Sequence, residues 1–194
     1  MPHASAEAIA LTGMMGAGKS TVAAHLGRLL CRRLVSTDAE VERRAGKSIA
    51  RIFAEDGEAA FRALERAAVS ELAGPMVVDL GGGAFCDPPS AVRLLATARV
   101  VFLDVSAAEA ARRLGAGEGR PLAATWERLL ASRLPLYRRA HHTIPVDGKT
   151  AEAVARVIVD LLRAIPSPQP SPLAGGKPPF PPAGERESAR GGRP

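Results

Sequence analysis

The chain has 194 residues, the range of one ordinary domain, and 46% of them are hydrophobic, enough for a sizeable core. Aromatics make up only 4%, so the core must rest on Ala, Val, Leu and Ile, and there is no aromatic platform on which single-stranded bases could stack. The net charge of +6 includes a tail surplus, where Lys177, Arg186, Arg190 and Arg193 face only Glu185 and Glu187; a small anionic ligand suits the remainder as well as nucleic acid, and no nucleic-acid partner is expected.

In chain order, "AIALTG" reads as a first strand that meets glycine, and Val22, Leu26, Leu29 and Leu30 recur at helical spacing after it. "RLVS" reads as a second strand, followed by helical stretches over 38–45 and 48–55. A longer helix follows, in which Phe61, Leu64, Ala68 and Leu72 share a face. "PMVVDL" is the third strand and "ARVVFLDV" the fourth. Ser106 and Glu109 then form an S-x-x-E capping box. "HTIPV" fits a fifth strand, and Val154, Val157, Ile158, Leu161, Leu162 and Ile165 form the stripe of a last helix. Near-continuous apolar strands separated by helices predict a parallel sheet covered on both faces.

From Pro166 the composition changes, with nine of the 16 prolines and five glycines in the last 29 residues. Such a segment cannot bury a core. The expected organisation is one domain over 1–165 and a disordered tail over 166–194, with a proline-rich partner ligand as the other reading of the tail. Two cysteines, Cys31 and Cys86, make no disulfide framework, and no apolar run approaches the roughly 18 residues of a membrane span. A cytoplasmic setting without membrane attachment is the expectation.

"GMMGAGKST" has the G-x-x-x-x-G-K-S pattern between a predicted strand and an amphipathic helix, which is the context that gives this motif its meaning. Its residues Gly13, Met14, Met15, Gly16, Ala17, Gly18, Lys19, Ser20 and Thr21 make a loop whose backbone N–H groups can point at phosphate oxygens. Lys19 would reach the β- and γ-phosphates and the Ser20 hydroxyl would bind Mg²⁺. The motif does not name the acceptor, since GTPases, ATPases and small-molecule kinases share it.

Four further features converge: "STDAEVERRAGKSIARIFAEDGEAAFRALE", the triplet Gly81-Gly82-Gly83, "GRPL" at 119–122 and "SRLPLYRR" at 132–139. In order and spacing the chain resembles the shikimate kinases, within the nucleoside monophosphate kinase-like P-loop group, from about Ile9 to Leu162. The resemblance implies a three-layer α/β/α P-loop kinase with a five-stranded parallel sheet and a lid over about 113–124. It also implies ATP and shikimate as partners, Mg²⁺ as the metal, and a monomer. The implied reaction phosphorylates the 3-hydroxyl of shikimate. The other readings are a kinase of another hydroxy acid such as gluconate and a degenerate nucleotide-binding protein.

By resemblance, Arg62 and Arg133 would grip the substrate carboxylate, Glu65 would orient Arg62 and substrate, and the glycine triplet would let substrate approach bare backbone. Arg120 would stabilise charge during transfer and Arg113 would stack on adenine. Blander readings stand beside these: a surface ion pair for Arg62 and Glu65, a strand-end turn for the glycines, a solvated cation for Arg113.

The family pattern ends the second strand in Asp-x-Asp, the first acid supporting Mg²⁺ and the second binding the substrate hydroxyl. Here the stretch is Ser36-Thr37-Asp38, so Asp38 keeps the hydroxyl-binding place and the metal-supporting acid is missing. Asp38 could also serve only the helix start, where Thr37 and Glu40 have capping-box spacing. Asp79, after three apolar residues of the third strand, has the Walker B pattern and is the candidate replacement; capping the turn before the glycines is its other reading. Asp104 also ends an apolar strand but leads straight into a capped helix, and ranks behind Asp79.

Overall fold

The computed structural model describes residues 7–115 and 122–164. Among them are β1 (Ala8–Thr12), β2 (Arg33–Ser36), β3 (Met76–Asp79), β4 (Ala98–Asp104) and β5 (His142–Pro145). The helices are α1 (Lys19–Leu30), α2 (Thr37–Ala45), α3 (Ile49–Glu55), α4 (Gly57–Ser70), α5 (Pro88–Thr97), α6 (Ala107–Arg113), α7 (Leu122–Tyr137) and α8 (Ala151–Ala164). A short 3-10 turn spans Ala84–Cys86.

All five strands are parallel, in the order β2-β3-β1-β4-β5. β1 is buried along its whole length, because helices cover both faces of a parallel sheet and leave no polar side for alternation. Leu11 pairs with Asp79 on β3, and Asp79 pairs in turn with Ser36 on β2. The carboxyl ends of three adjacent strands therefore lie side by side, which is where open α/β sheets bind ligands.

The main core joins the sheet to α1, α5 and α8, while Val41, Ile52, Phe61 and Ala68 make a second small core among α2, α3 and α4. That helical cluster stands beside the β2 edge and carries Asp38, Arg62 and Glu65 to the strand ends.

Several local expectations change. Leu29 and Val157, placed on apolar stripes, are exposed, and Leu72 falls beyond the end of α4. The α2 cap is Ser36, whose Oγ accepts from the Ala39 N–H at 3.3 Å, and Glu40 pairs with Arg43 and Arg44, so there is no Thr37/Glu40 capping box. Ser106 does cap α6, accepting from the Glu109 N–H at 3.2 Å, but the Glu109 carboxylate turns to Arg112 and Arg113. The Ser106 N–H finds Asp147 instead, at 3.0 Å. Asp104 ends β4 with its carbonyl accepting from the Val146 N–H, which ties β4 to the chain after β5.

Candidate active site

The loop between β1 and α1 takes positive φ at Gly13, Gly16 and Gly18, a path that side-chain-bearing residues rarely follow. Lys19 folds back over it, donating to the carbonyls of Gly13 at 3.0 Å and Met14 at 3.3 Å. The loop is braced from outside. Trp126 on α7 donates from Nε1 to the Met15 carbonyl at 3.2 Å, and the buried Tyr137 hydroxyl lies 3.8 Å from the Met14 sulfur. Arg113 is no solvated cation: it holds the carbonyls of Gly16, Ala17 and Val146 and is itself held by Glu109 at 2.7 Å.

A second group of side chains is threaded along the glycine triplet. A Cβ on Gly81 would collide with Asp38 Oδ1 and come within 3.1 Å of Glu65 Oε1; one on Gly83 would lie 2.5 Å from Arg62 Nη1. Only glycine lets the chain run this close to an acid at one end and a guanidinium at the other. Arg133 on α7 joins the guanidinium end, donating to the Gly82 carbonyl at 3.2 Å, and Tyr137 donates to the same carbonyl at 2.5 Å. Arg62 pairs with Glu65 at 2.6 Å from three residues away on α4, with Glu58 on its outer side. The two predicted groups, the phosphate loop and the side chains along the glycine triplet, thus meet at the carboxyl end of the sheet.

The charges there are mutually dependent. Burial pushes the Lys19 ammonium below its ordinary value, with Asp79 and then Asp38 opposing that shift and Arg133 adding to it. Burial raises the Asp38 carboxyl, and the Asp79 charge raises it further against the pull of Lys19. Burial also raises Glu65, in spite of its bond to Arg62. The site holds opposed charges that water no longer screens well, the environment in which fixed charges act most strongly on a reacting phosphoryl group.

Oxygen donors suited to a hard cation are present: the Ser20 hydroxyl at the start of α1 and the Asp79 carboxylate, which no hydrogen bond or ion pair engages among the described residues. No group of three or more His, Cys, Asp or Glu side chains forms a cage among those residues. That fits Mg²⁺, which usually takes one or two protein ligands together with phosphates and water.

Arg120 and the middle of the proposed lid, 116–121, with Ile165 and the tail, lie outside the described residues. Sequence reasoning missed Tyr137 and Trp126 as supports of the two loops, although "SRLPLYRR" contained the first. It also took the Thr37 hydroxyl for a cap, whereas that group accepts from the Gly81 N–H at 2.8 Å.

A phosphate loop beside an acceptor site with an acid at one end and two guanidinium groups at the other defines a P-loop kinase of a small acidic molecule. The family model for shikimate kinase matches residues 15–163, and the chain belongs to that family. It is 46% identical to the shikimate kinase of Thermobifida fusca over 162 residues, 79% of this chain and 94% of the relative. It is 43% identical to that of Mycobacterium marinum over 180 residues, 86% and 95% of the two chains. Among solved structures, shikimate kinase from Acinetobacter baumannii in complex with shikimate superposes with a TM-score of 0.75 at 34% identity, covering 82% of this chain and 94% of that one.

Proposed function

We propose that the chain transfers the γ-phosphoryl group of ATP to the 3-hydroxyl of shikimate, giving shikimate 3-phosphate and ADP in aromatic precursor synthesis. The observation that carries this reading is the polarity of the glycine triplet, with Asp38 against Gly81 and Arg62 and Arg133 against Gly83 and Gly82. A ring bearing a carboxylate on one side and hydroxyls on the other fits that sequence of charges. Guanidinium forks match a planar carboxylate.

ATP phosphates lie along Gly13 to Thr21, and Lys19 leaves its backbone carbonyls for β- and γ-phosphate oxygens. Arg113 borders the nucleotide where the resemblance puts adenine, and Arg120, outside the described residues, is by resemblance the cation that meets the phosphates. The Ser20 hydroxyl would hold Mg²⁺, which would supply neutralisation of the phosphate charge when bound. Asp38, raised by burial and by Asp79, accepts the hydroxyl proton as the phosphoryl group arrives. Glu65 orients Arg62 and takes a substrate hydroxyl on its second oxygen. Positioning supplies most of the rate, because the acceptor oxygen and γ-phosphorus are brought together with their charges already met.

We also take the protein to be a cytoplasmic monomer. No helix among the described residues is long and apolar enough to cross a membrane, and Cys31 and Cys86 are both free thiols.

Purified protein supplied with ATP and Mg²⁺ is tested against shikimate, gluconate and no acceptor, with ADP release as the readout. Shikimate-dependent release is the expected result. Release with gluconate alone transfers the activity to another hydroxy acid, and nucleotide binding without acceptor-dependent release overturns the kinase reading.

A further inference from the structure

β3 ends in three buried apolar residues and an acid, Met76-Val77-Val78-Asp79, and two neighbouring strands flank that acid in register. A strand-end aspartate often caps the turn that follows, but here the first two N–H groups of that turn are already taken. The Gly81 N–H goes to the Thr37 hydroxyl at 2.8 Å, and the Leu80 N–H to the Leu11 carbonyl at 3.1 Å. The Thr37 hydroxyl reaches the backbone carbonyl of Asp79 at 3.4 Å, so even the contact between these two residues bypasses the carboxylate. Across the strand pair the situation is reversed. Ser36 Oγ is occupied as the α2 cap.

The Asp79 carboxylate is therefore half-buried and uncommitted among the described residues, on the register partner of Leu11 in the strand that leads into the phosphate loop. A P-loop strand next to β1 that ends in such an acid is where NTPases hold their divalent cation together with the loop hydroxyl.

We propose that Asp79 is the carboxylate that supports the nucleotide's divalent cation beside Ser20, and that positions 36 and 79, register partners on adjacent strands, are alternative places for one such acid. This rests on the kinase reading, but its test needs no acceptor and so fails or succeeds separately from it.

Mn²⁺ binding is measured by electron paramagnetic resonance with ADP present, for wild type, Asp79→Asn and the double variant Asp79→Asn/Ser36→Asp. Metal-free ADP binding, followed by fluorescence of the single tryptophan, Trp126, reports an intact loop. Asp79→Asn should weaken Mn²⁺ by about 10- to 100-fold, as loss of a supporting group does, with metal-free ADP affinity unchanged. The double variant should regain most of the Mn²⁺ affinity. Unchanged Mn²⁺ binding in Asp79→Asn overturns the assignment. Equal loss of metal-free ADP binding overturns it too, by making Asp79 structural. A double variant no better than Asp79→Asn overturns the equivalence of the two positions. Wild type that binds Mn²⁺ and ADP but leaves shikimate unphosphorylated refutes the kinase reading and leaves this one standing.

Discussion

Arg62 holds one oxygen of the Glu65 carboxylate at 2.6 Å and leaves the other, Oε1, buried with no hydrogen-bond partner among the described residues, pressed toward Gly81. An unmet buried acceptor is costly unless a ligand meets it.

Glu65→Gln follows directly. Because burial holds Glu65 above its ordinary value of 4.5 in the folded chain, folding favours its protonated form. Its contribution to stability is fully present below 4.5 and is lost as pH rises through the folded value, so at pH 7.5 the charged group is a burden. Glu65→Gln should melt no lower than wild type at pH 7.5, with the difference narrowing as pH falls toward 5. Shikimate KM should rise by one to two orders of magnitude, the equivalent of about 1.5–3 kcal/mol for a lost charged hydrogen bond. Thermal melts across pH and steady-state kinetics check both; a large drop in Tm at pH 7.5 would show the carboxylate to be a net stabiliser.

The Gly82 carbonyl links the glycine triplet to α7, since Tyr137 and Arg133 both donate to it and Tyr137 stacks on Phe102 with centroids 5.0 Å apart. Tyr137→Phe keeps the ring and removes one donor, at a cost of about 1 kcal/mol in stability. Left as the sole partner of that carbonyl, Arg133 is less free for substrate, so KM for shikimate should rise more than kcat falls. Arg133→Lys should show the larger KM effect, because an ammonium cannot reproduce the two-pronged fit. Kinetics of the two variants side by side decide this; a kcat loss without a KM change would remove Arg133 from acceptor binding.

Both groups of candidate site residues could be picked out in the sequence because their spacing is tied to backbone chemistry. The phosphate loop needs glycines before Lys19, and Arg62 and Glu65 three apart on a helix must share a face. The strand order could not be read from local pattern, since register is set by packing across the sheet. It took the Ser36–Asp79 pairing to show that the absent acid and its candidate replacement stand opposite each other. α5 was missed although Asp87 accepts from the Ser90 N–H and Pro88 and Pro89 open the helix, a start signal that can be read in sequence. Tyr137 was hidden for another reason: its partner is a backbone carbonyl 55 positions away.

Cys86 offers a chemical probe of acceptor binding. It lies just after the triplet, half-buried, and burial raises its thiol while Arg133 opposes the shift. A raised thiol holds less thiolate at neutral pH and reacts slowly. In a Cys31→Ser background, alkylation should be slow at pH 7.5, accelerate as pH rises past 9, and slow further when shikimate is added. Mass spectrometry of the modified chain gives the rates. Alkylation indifferent to shikimate would separate Cys86 from the acceptor pocket.

The end of the domain can be tested through α8, whose buried residues Val154, Ala155, Ile158 and Val159 seat it on the main core. After Val159, only Leu161 and Leu162 are half-buried among the described residues. A chain ending at Ile165 should keep the Tm and the shikimate kinetics of the full chain. One ending at Val157 removes Ile158 and Val159, each worth about 1.5–3 kcal/mol when fully buried. That is a large part of the 5–15 kcal/mol typical of a domain, so the shorter chain should melt much lower or fail to fold. Calorimetry of the two truncations locates the boundary, and a lowered Tm in the chain ending at Ile165 would extend the domain into the proline-rich segment.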